Sequence, residues 1–175
     1  MSEVKLSATI TCTSPPSVRC FTIRVIDQPP GRFREPEGGI PWLDPVLVVC
    51  PRCSKQATVT KNGRDQARLL CPHCTLTRHW SPSTSPTSQA TETGTMTEPR
   101  FGLPLWLQIE CCGRHLLWAT NQAHLDYLAS YIGATLRERP PPPSNLAWRL
   151  PAWMKHAKNR PDVMRAIGRL RDSLD

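Results

Sequence analysis

Two Cys-x-x-Cys pairs do most to decide what this chain can fold into. Cys50-Pro51-Arg52-Cys53 is answered, after the seventeen residues 54–70, by Cys71-Pro72-His73-Cys74. A two-residue gap lets both sulfurs of a tight turn point at one centre. Two such turns, brought together by short strands, make a tetrahedral four-sulfur cage with metal–sulfur bonds of about 2.3 Å. The intervening residues suit that geometry. Ala57-Thr58-Val59-Thr60 reads as a strand, Lys61-Asn62-Gly63-Arg64 as a turn, and Ala67 to Leu70 as the return strand. Asn-Gly is a dependable hairpin signal because both positions tolerate positive φ. The expectation is one structural Zn2+ ligated by Cys50, Cys53, Cys71 and Cys74. Four thiolates fill a tetrahedral zinc and leave no place for an activated water. His73 and His79 are alternative ligands, but four cysteines suffice, and both histidines are expected to be partly exposed.

Charge is distributed unevenly around this motif. The net charge of +8 is built in two blocks. Residues 50–80 carry Arg52, Lys55, Lys61, Arg64, Arg68 and Arg78 against Asp65 alone. Residues 144–175 carry seven basic side chains against three acidic ones, and residues 1–49 and 81–143 are close to neutral. Two basic blocks on an otherwise neutral chain are the footprint of a phosphate-binding surface, and equally of a solvated, solubilising face.

The Cys-Pro-x-Cys knuckle, repeated around a short antiparallel ribbon, resembles the transcription-factor-IIB-type zinc ribbon. Phe101-Gly-Leu-Pro-Leu-Trp-Leu107, Cys111-Cys112-Gly113 and Leu117-Trp-Ala-Thr-Asn121 are similar to a family of small bacterial zinc-ribbon proteins. So are Leu150-Pro-Ala-Trp-Met-Lys155 and Ala157-Lys-Asn-Arg160. The resemblance covers about residues 46 to 174. It implies binding to nucleic acid or to another protein, and it implies no particular reaction. Many ribbons place Gly after the second cysteine of a knuckle, where this chain has Ser54 and Thr75.

Along the chain, the pattern divides into an N-terminal β segment (1–49), the ribbon (50–80), a flexible linker (81–99) and a β-hairpin with helices (100–175). Residues 4–11 and 21–27 alternate apolar and polar side chains, as half-buried strands do. Residues 46–49 add a third strand, and the Pro- and Gly-rich stretch 28–45 is expected to be irregular, with Trp42 packed on the sheet. Residues 81–99 are Ser, Thr, Pro, Gln, Glu and Gly with almost no apolar side chains. Such a segment cannot bury enough surface to offset its ordering entropy, so the ribbon is expected to move relative to the rest.

Residues 103–111 resume strand character, with Leu105, Leu107, Ile109 and Cys111 on one face. Cys112-Gly113 turns the chain and residues 114–119 return. Thr120-Asn121 reads as an N-cap of a helix running to about Arg139, striped by Leu125, Leu128, Ile132 and Leu136, with Tyr127 and Tyr131 at its core edge. Arg137 and Arg139 suit its negative pole. Pro140-Pro-Pro-Pro143 ends it, and a final helix runs from about Asp162 to Leu174 on the stripe Val163, Ile167, Leu170 and Leu174. The fold class expected is therefore α+β: a four-cysteine zinc ribbon with short antiparallel hairpins and two or three C-terminal helices.

Composition narrows the function classes. Nineteen prolines and 39% hydrophobic residues in 175 leave a modest core, which a metal clamp would support. Eight cysteines in a chain whose start lacks a secretory pattern favour metal and thiolate chemistry over disulfides. Cytoplasm is the expected compartment, and no stretch approaches the roughly 18 apolar residues of a membrane span. Cys12 and Cys20 fit paired strands or a second metal site with Cys111 and Cys112. A zinc deaminase needs His-x-Glu ahead of its Cys-x-x-Cys, and none occurs. His-Glu-x-x-His and a phosphate-cradling glycine loop are absent as well. Cys112 with His115 or His124 is the remaining nucleophile–base combination, and a non-catalytic protein is expected. Two functions are left. In the first, Arg52, Lys55, Lys61, Arg64, Arg68 and Arg78, together with Lys155, Lys158 and Arg160, contact DNA or RNA, with Trp80 stacking on an unpaired base. In the second, the chain docks on a larger protein complex such as a polymerase, mobile-element or defence assembly.

Overall fold

A computed structural model of the chain describes residues 31–33, 44–63, 65–82, 94–137 and 146–174. The strands expected at 4–11 and 21–27, Cys12, Cys20, Trp42, Arg64 and the prolines 140–143 lie outside these residues. The strands are β1 (Arg32–Phe33), β2 (Val46–Val49), β3 (Gln56–Lys61), β4 (Ala67–Leu70), β5 (Thr77–Trp80), β6 (Thr97–Glu98), β7 (Leu103–Pro104), β8 (Leu107–Cys111), β9 (His115–Ala119) and β10 (Leu136–Arg137). The helices are α1 (Gln122–Gly133), α2 (Leu146–Arg149), α3 (Ala152–Lys155) and α4 (Arg160–Asp172). The architecture is α+β, as the pattern of elements required.

The ribbon is a four-stranded antiparallel sheet in the order β2-β3-β4-β5. Alternation along its strands sorts the side chains, because neighbours on a strand point to opposite faces. Ala57 and Val59 of β3 and Ala67 and Leu69 of β4 are buried, whereas Thr60, Arg68 and Leu70 are exposed. The register Thr58↔Leu70 and Thr60↔Arg68 keeps those polar and exposed residues on one open face. The buried face forms a small core with Val48, Leu105 and two of the cysteines, Cys50 and Cys71.

A larger core lies in the C-terminal half. The β8–β9 hairpin packs against α1 and α4. Leu107, Leu117, Leu125, Leu128, Ile132, Val163 and Ile167 are all at most 1% exposed there. Asn121 caps α1 by accepting the backbone N–H of His124 at 2.9 Å, the N-terminal signal read in the sequence. Helix α4 carries Pro161 in its first turn and buries Val163, Ala166, Ile167 and Leu170. Trp106 donates its indole N–H to the Ser173 carbonyl at 3.0 Å, and Arg171 pairs with Asp126 of α1 at 2.6 Å.

β2 belongs to both cores. Val48 is buried in the ribbon core, while the preceding Leu47 is buried in the C-terminal core. Between them the backbone is laced to the body. Leu47 donates to the Thr120 carbonyl at 2.7 Å and accepts from the Trp106 N–H at 3.0 Å, and Val48 bridges Leu105. Asn121 adds a side-chain bond to the Pro45 carbonyl at 2.8 Å. The first strand of the ribbon is thus hydrogen-bonded on both edges, to β3 on one side and to the body on the other.

Four further details differ from the sequence pattern. The helix expected to reach Arg139 ends at Gly133, and Ala134 is extended. Leu136 leaves the stripe, becomes 57% exposed, and enters β10, which pairs in parallel with β1. The single strand expected over 103–111 breaks at Leu105–Trp106. Leu105 faces the ribbon core, while Leu107, Ile109 and Cys111 pack on the larger one. The segment expected as linker at 81–99 ends in strand β6, where Glu98 is 1% exposed. Its carboxylate accepts the backbone N–H groups of Arg100 and Phe101 at 3.0 and 2.8 Å. Finally, Phe33 comes from a stretch expected to be irregular. It is 2% exposed and sits edge-on to Tyr127 and Tyr131, with centroids at 5.4 and 5.1 Å.

Candidate metal centre and its basic surroundings

Each knuckle follows a strand and closes on itself. After β2, Cys50 donates its N–H to the Lys55 carbonyl at 2.8 Å, and Ser54 donates to the Cys50 carbonyl at 3.0 Å. After β4, Cys71 donates to the Leu76 carbonyl at 2.9 Å. Ser54 and Thr75, which follow the second cysteines, have φ of 58° and 56°. This left-handed conformation favours glycine and is strained for other residues, most of all for a β-branched one. The turn after each second cysteine is therefore kept at a local energetic cost. Thr75 holds its turn with a hydroxyl bond to the Cys74 carbonyl at 2.7 Å.

The two knuckles bring Cys50, Cys53, Cys71 and Cys74 together, with all four sulfurs within 4.8 Å of one another. Cys50 Sγ lies 3.7 Å from Cys74 Sγ, and Cys53 Sγ lies 3.6 Å from Cys71 Sγ. Four sulfurs at about 2.3 Å from a central ion are separated by roughly 3.8 Å along the edges of a tetrahedron. The cluster therefore has the dimensions to hold a metal ion. Cys50 and Cys71 form the buried floor, and Cys53 and Cys74 are partly exposed. The thiols do not ionise alike. For Cys50, burial pushes the thiol up, but the N–H groups of Arg52 and Cys53 together with the Cys71 and Cys53 thiols outweigh it and hold it at about 6. For Cys53, the N–H of Lys55 favours the thiolate, yet burial and the three neighbouring sulfurs push it up to about 12. Cys74 is raised as well, burial and two neighbouring thiols outweighing an N–H bond from Leu76. Four thiolates this close would repel one another, so a cation among them would favour the fully ionised set. His73 and His79 are exposed, and neither belongs to the cluster.

The basic residues do not converge on one surface. Arg52 and Lys55 are exposed on the first knuckle, and Lys61 is exposed at the far end of β3. Arg68 is exposed on the open face of the sheet, opposite His79 in register. Arg78, also exposed, is in register with Leu69 on the other face. Lys155 is half-buried and Lys158 exposed, on the segment leading into α4. Arg160, grouped with them in the sequence, is used inside the fold. Its guanidinium donates to the Ala134 carbonyl at 3.0 Å. Arg137 does the same work beside it, donating to the Tyr131 and Ile132 carbonyls at 3.0 and 3.4 Å and lying 4.6 Å over the Tyr131 ring. The two guanidiniums satisfy the end of α1, whose last carbonyls have no partner within the helix. Trp80, read as a stacking platform, packs partly buried against the ribbon core, with Arg100 at 5.7 Å over its ring.

The residues of the remaining nucleophile–base combination each make contacts of their own. His124 is buried, accepts the Thr120 N–H through Nδ1 at 3.2 Å and meets Trp118 edge-on. Burial pulls it down to about 4. His115 stacks on Trp153 at 4.8 Å. Cys112 Sγ faces the Asn159 carbonyl at 4.0 Å. Among the described residues, no helix is long and apolar enough to cross a membrane. No protein-family model, curated protein or solved structure matches the chain.

Proposed function

We propose that the four cysteines hold one structural Zn2+ and that the ribbon so clamped is a non-catalytic module binding nucleic acid through its phosphates. A four-thiolate donor set of these dimensions suits zinc, and it has no open coordination position for chemistry. The observation that carries the binding half is the charge around the cage. Arg52, Lys55, Lys61, Arg68 and Arg78 are all exposed, and Asp65 is the one acidic residue of the 50–80 segment. Exposed cations spread over the knuckle and both faces of the sheet suit a general attraction to phosphate, without base-specific readout. The family resemblance points the same way.

The test joins metal analysis of the purified chain with binding to single- and double-stranded DNA and RNA across a salt series. One zinc per chain is expected, with affinity falling steeply as salt rises. Arg52→Gln with Arg68→Gln should reduce the logarithmic salt slope by about two contacts' worth. Arg160→Lys is the control: it should lower thermal stability and leave the slope unchanged. A metal-free folded chain, or binding insensitive to both arginines, overturns the proposal. A second reading has its own observation. Among the described residues β5 pairs only with β4, leaving its outer edge without a strand among them, and Leu70 stands 43% exposed on the adjoining open face. An open edge and an apolar residue suit docking of a protein strand. Salt-insensitive capture of a defined partner by the ribbon would favour that reading.

A further inference from the structure

The β8–β9 turn carries the adjacent cysteines Cys111 and Cys112, which play no part in the four-sulfur cluster. Consecutive residues of a regular strand point to opposite faces, so such a pair normally cannot share a ligand. Here they do not diverge. Cys111 is the last residue of β8, in register with His115. Cys112 has left the strand with φ of 51°, and Gly113 and Arg114 continue the turn at 78° and 77°. As a result both side chains pack against the same C-terminal core, and both remain partly exposed. The Cys112 thiol is close enough to push the Cys111 thiol up. Asn159 and α4 form the wall beside them: the Asn159 carbonyl is 4.0 Å from Cys112 Sγ, and Arg169 and Asp162 act on Cys111.

We propose that Cys111 and Cys112 form a dithiol site for a thiophilic trivalent arsenical, with both sulfurs bonding one arsenic atom. The reaction with a monosubstituted arsenical oxide balances as a condensation. Two arsenic–sulfur bonds form, the two S–H bonds and the arsenic–oxygen bond break, and both protons leave with the oxygen as one water. No electrons are transferred, so no oxidant is needed.

The same geometry disfavours the obvious alternative, a disulfide between the neighbours. A disulfide demands sulfurs about 2.05 Å apart with a dihedral near 90°, which closes a strained ring across one peptide. That closure would pull Cys111 from its pairing with His115. A larger trivalent atom spans the two sulfurs without bringing them into bonding contact. Peroxide oxidation also runs through the thiolate. Burial, followed by the neighbouring Cys112 thiol, pushes Cys111 up to about 12 and keeps it protonated at neutral pH.

The experiment treats the full chain, metal-loaded as purified, with one equivalent of phenylarsine oxide. Intact-mass measurement, peptide mapping and a chromogenic zinc chelator are read together. One phenylarsenic unit per chain is expected, mapping to the peptide that contains Cys111 and Cys112, with no metal released. The adduct should survive excess glutathione and be removed by a dithiol. Cys111→Ser and Cys112→Ser should each convert it to a single-sulfur adduct that glutathione strips about a hundred-fold faster or more, since the chelate advantage is gone. Cys12→Ser with Cys20→Ser should leave it intact. Mapping on the unmutated chain decides the matter even where a serine variant folds poorly, and it does so whether or not the cage holds zinc. An adduct on the cage cysteines, on Cys12 or Cys20, or one equally glutathione-resistant in both serine variants, overturns the proposal.

Discussion

The ribbon and the C-terminal half solve the same problem by different means. The C-terminal core is built mostly from Leu, Ile, Val and aromatic side chains of α1, α4 and the β8–β9 hairpin, with Phe33 and Leu47 added from β1 and β2. The ribbon core has four small or medium residues on its two central strands, Ala57, Val59, Ala67 and Leu69, and finishes with cysteines. Burying so few methylenes stabilises little at about 25 cal/mol per Å². The difference teaches where each half is vulnerable. One depends on packing volume, the other on whether its sulfurs are held by a cation.

The most direct way to break the comparison is Cys71→Ser. It removes a fully buried sulfur from the four-sulfur cluster. If the cluster holds a structural zinc as proposed, which contributes on the order of 10 kcal/mol of apparent folding energy, the metal should be lost and the ribbon should open. Hydrogen exchange should rise sharply over 46–80 while α1 and α4 stay protected. Equal loss of protection in both halves would show that the two cores are one.

The converse is Ile167→Ala, at a site 1% exposed in the larger core. A loss of about 2 to 5 kcal/mol is expected from the removed atoms and the cavity they leave. Metal content per folded molecule should not change. A variant that sheds its metal in proportion to its lost stability would contradict this division.

A third test sharpens the comparison with pH. His124 is buried with its pKa depressed to about 4. The unfolded chain binds a proton near the ordinary value of about 6.5, while the folded chain resists it. Stability associated with His124 is therefore complete above about 6.5 and is lost as pH falls toward 4, by about 3 kcal/mol in all. His124→Gln should flatten that part of the acid dependence in the helical half. An unchanged slope would assign the acid sensitivity to groups other than His124.

The smallest effect expected is at Thr75. Glycine there relieves a left-handed backbone that costs roughly 1 to 2 kcal/mol for other residues, offset by glycine's own entropy cost of about 0.5 to 1 kcal/mol. Thr75→Gly should raise the ribbon's resistance to chelator-induced opening by about 1 kcal/mol or less. Destabilisation would mean that the Thr75 hydroxyl bond to the Cys74 carbonyl outweighs the strain.

Much of the ribbon was legible because its signals are local. Cysteine spacing, an Asn-Gly turn and two short alternating runs specify β3, β4 and the sulfur cluster without reference to the rest. Strand β5 was not legible, since Thr77-Arg78-His79 is polar and exposed and only its pairing with β4 defines it. The start of α1 was readable from Asn121. Its end was not, because Leu136 continues the helical spacing while the chain turns out at Ala134 to meet β1. Phe33 and Glu98 sit in stretches whose composition says loop. Their burial comes from partners far away for Phe33 and from a local turn for Glu98, neither of which a periodicity reveals. Arg160 looked like one of a row of surface cations until the end of α1 was seen to need it.

In β2, Leu47 and Val48 are neighbours that report to different halves of the molecule. A single-residue insertion or deletion ahead of Leu47 would invert both at once, sending each side chain into the other's territory. The length of the chain between Pro45 and the first knuckle is thus a ruler with no tolerance. Variation elsewhere in the molecule can be absorbed by loops; here it would have to be matched by simultaneous change in two hydrophobic interiors.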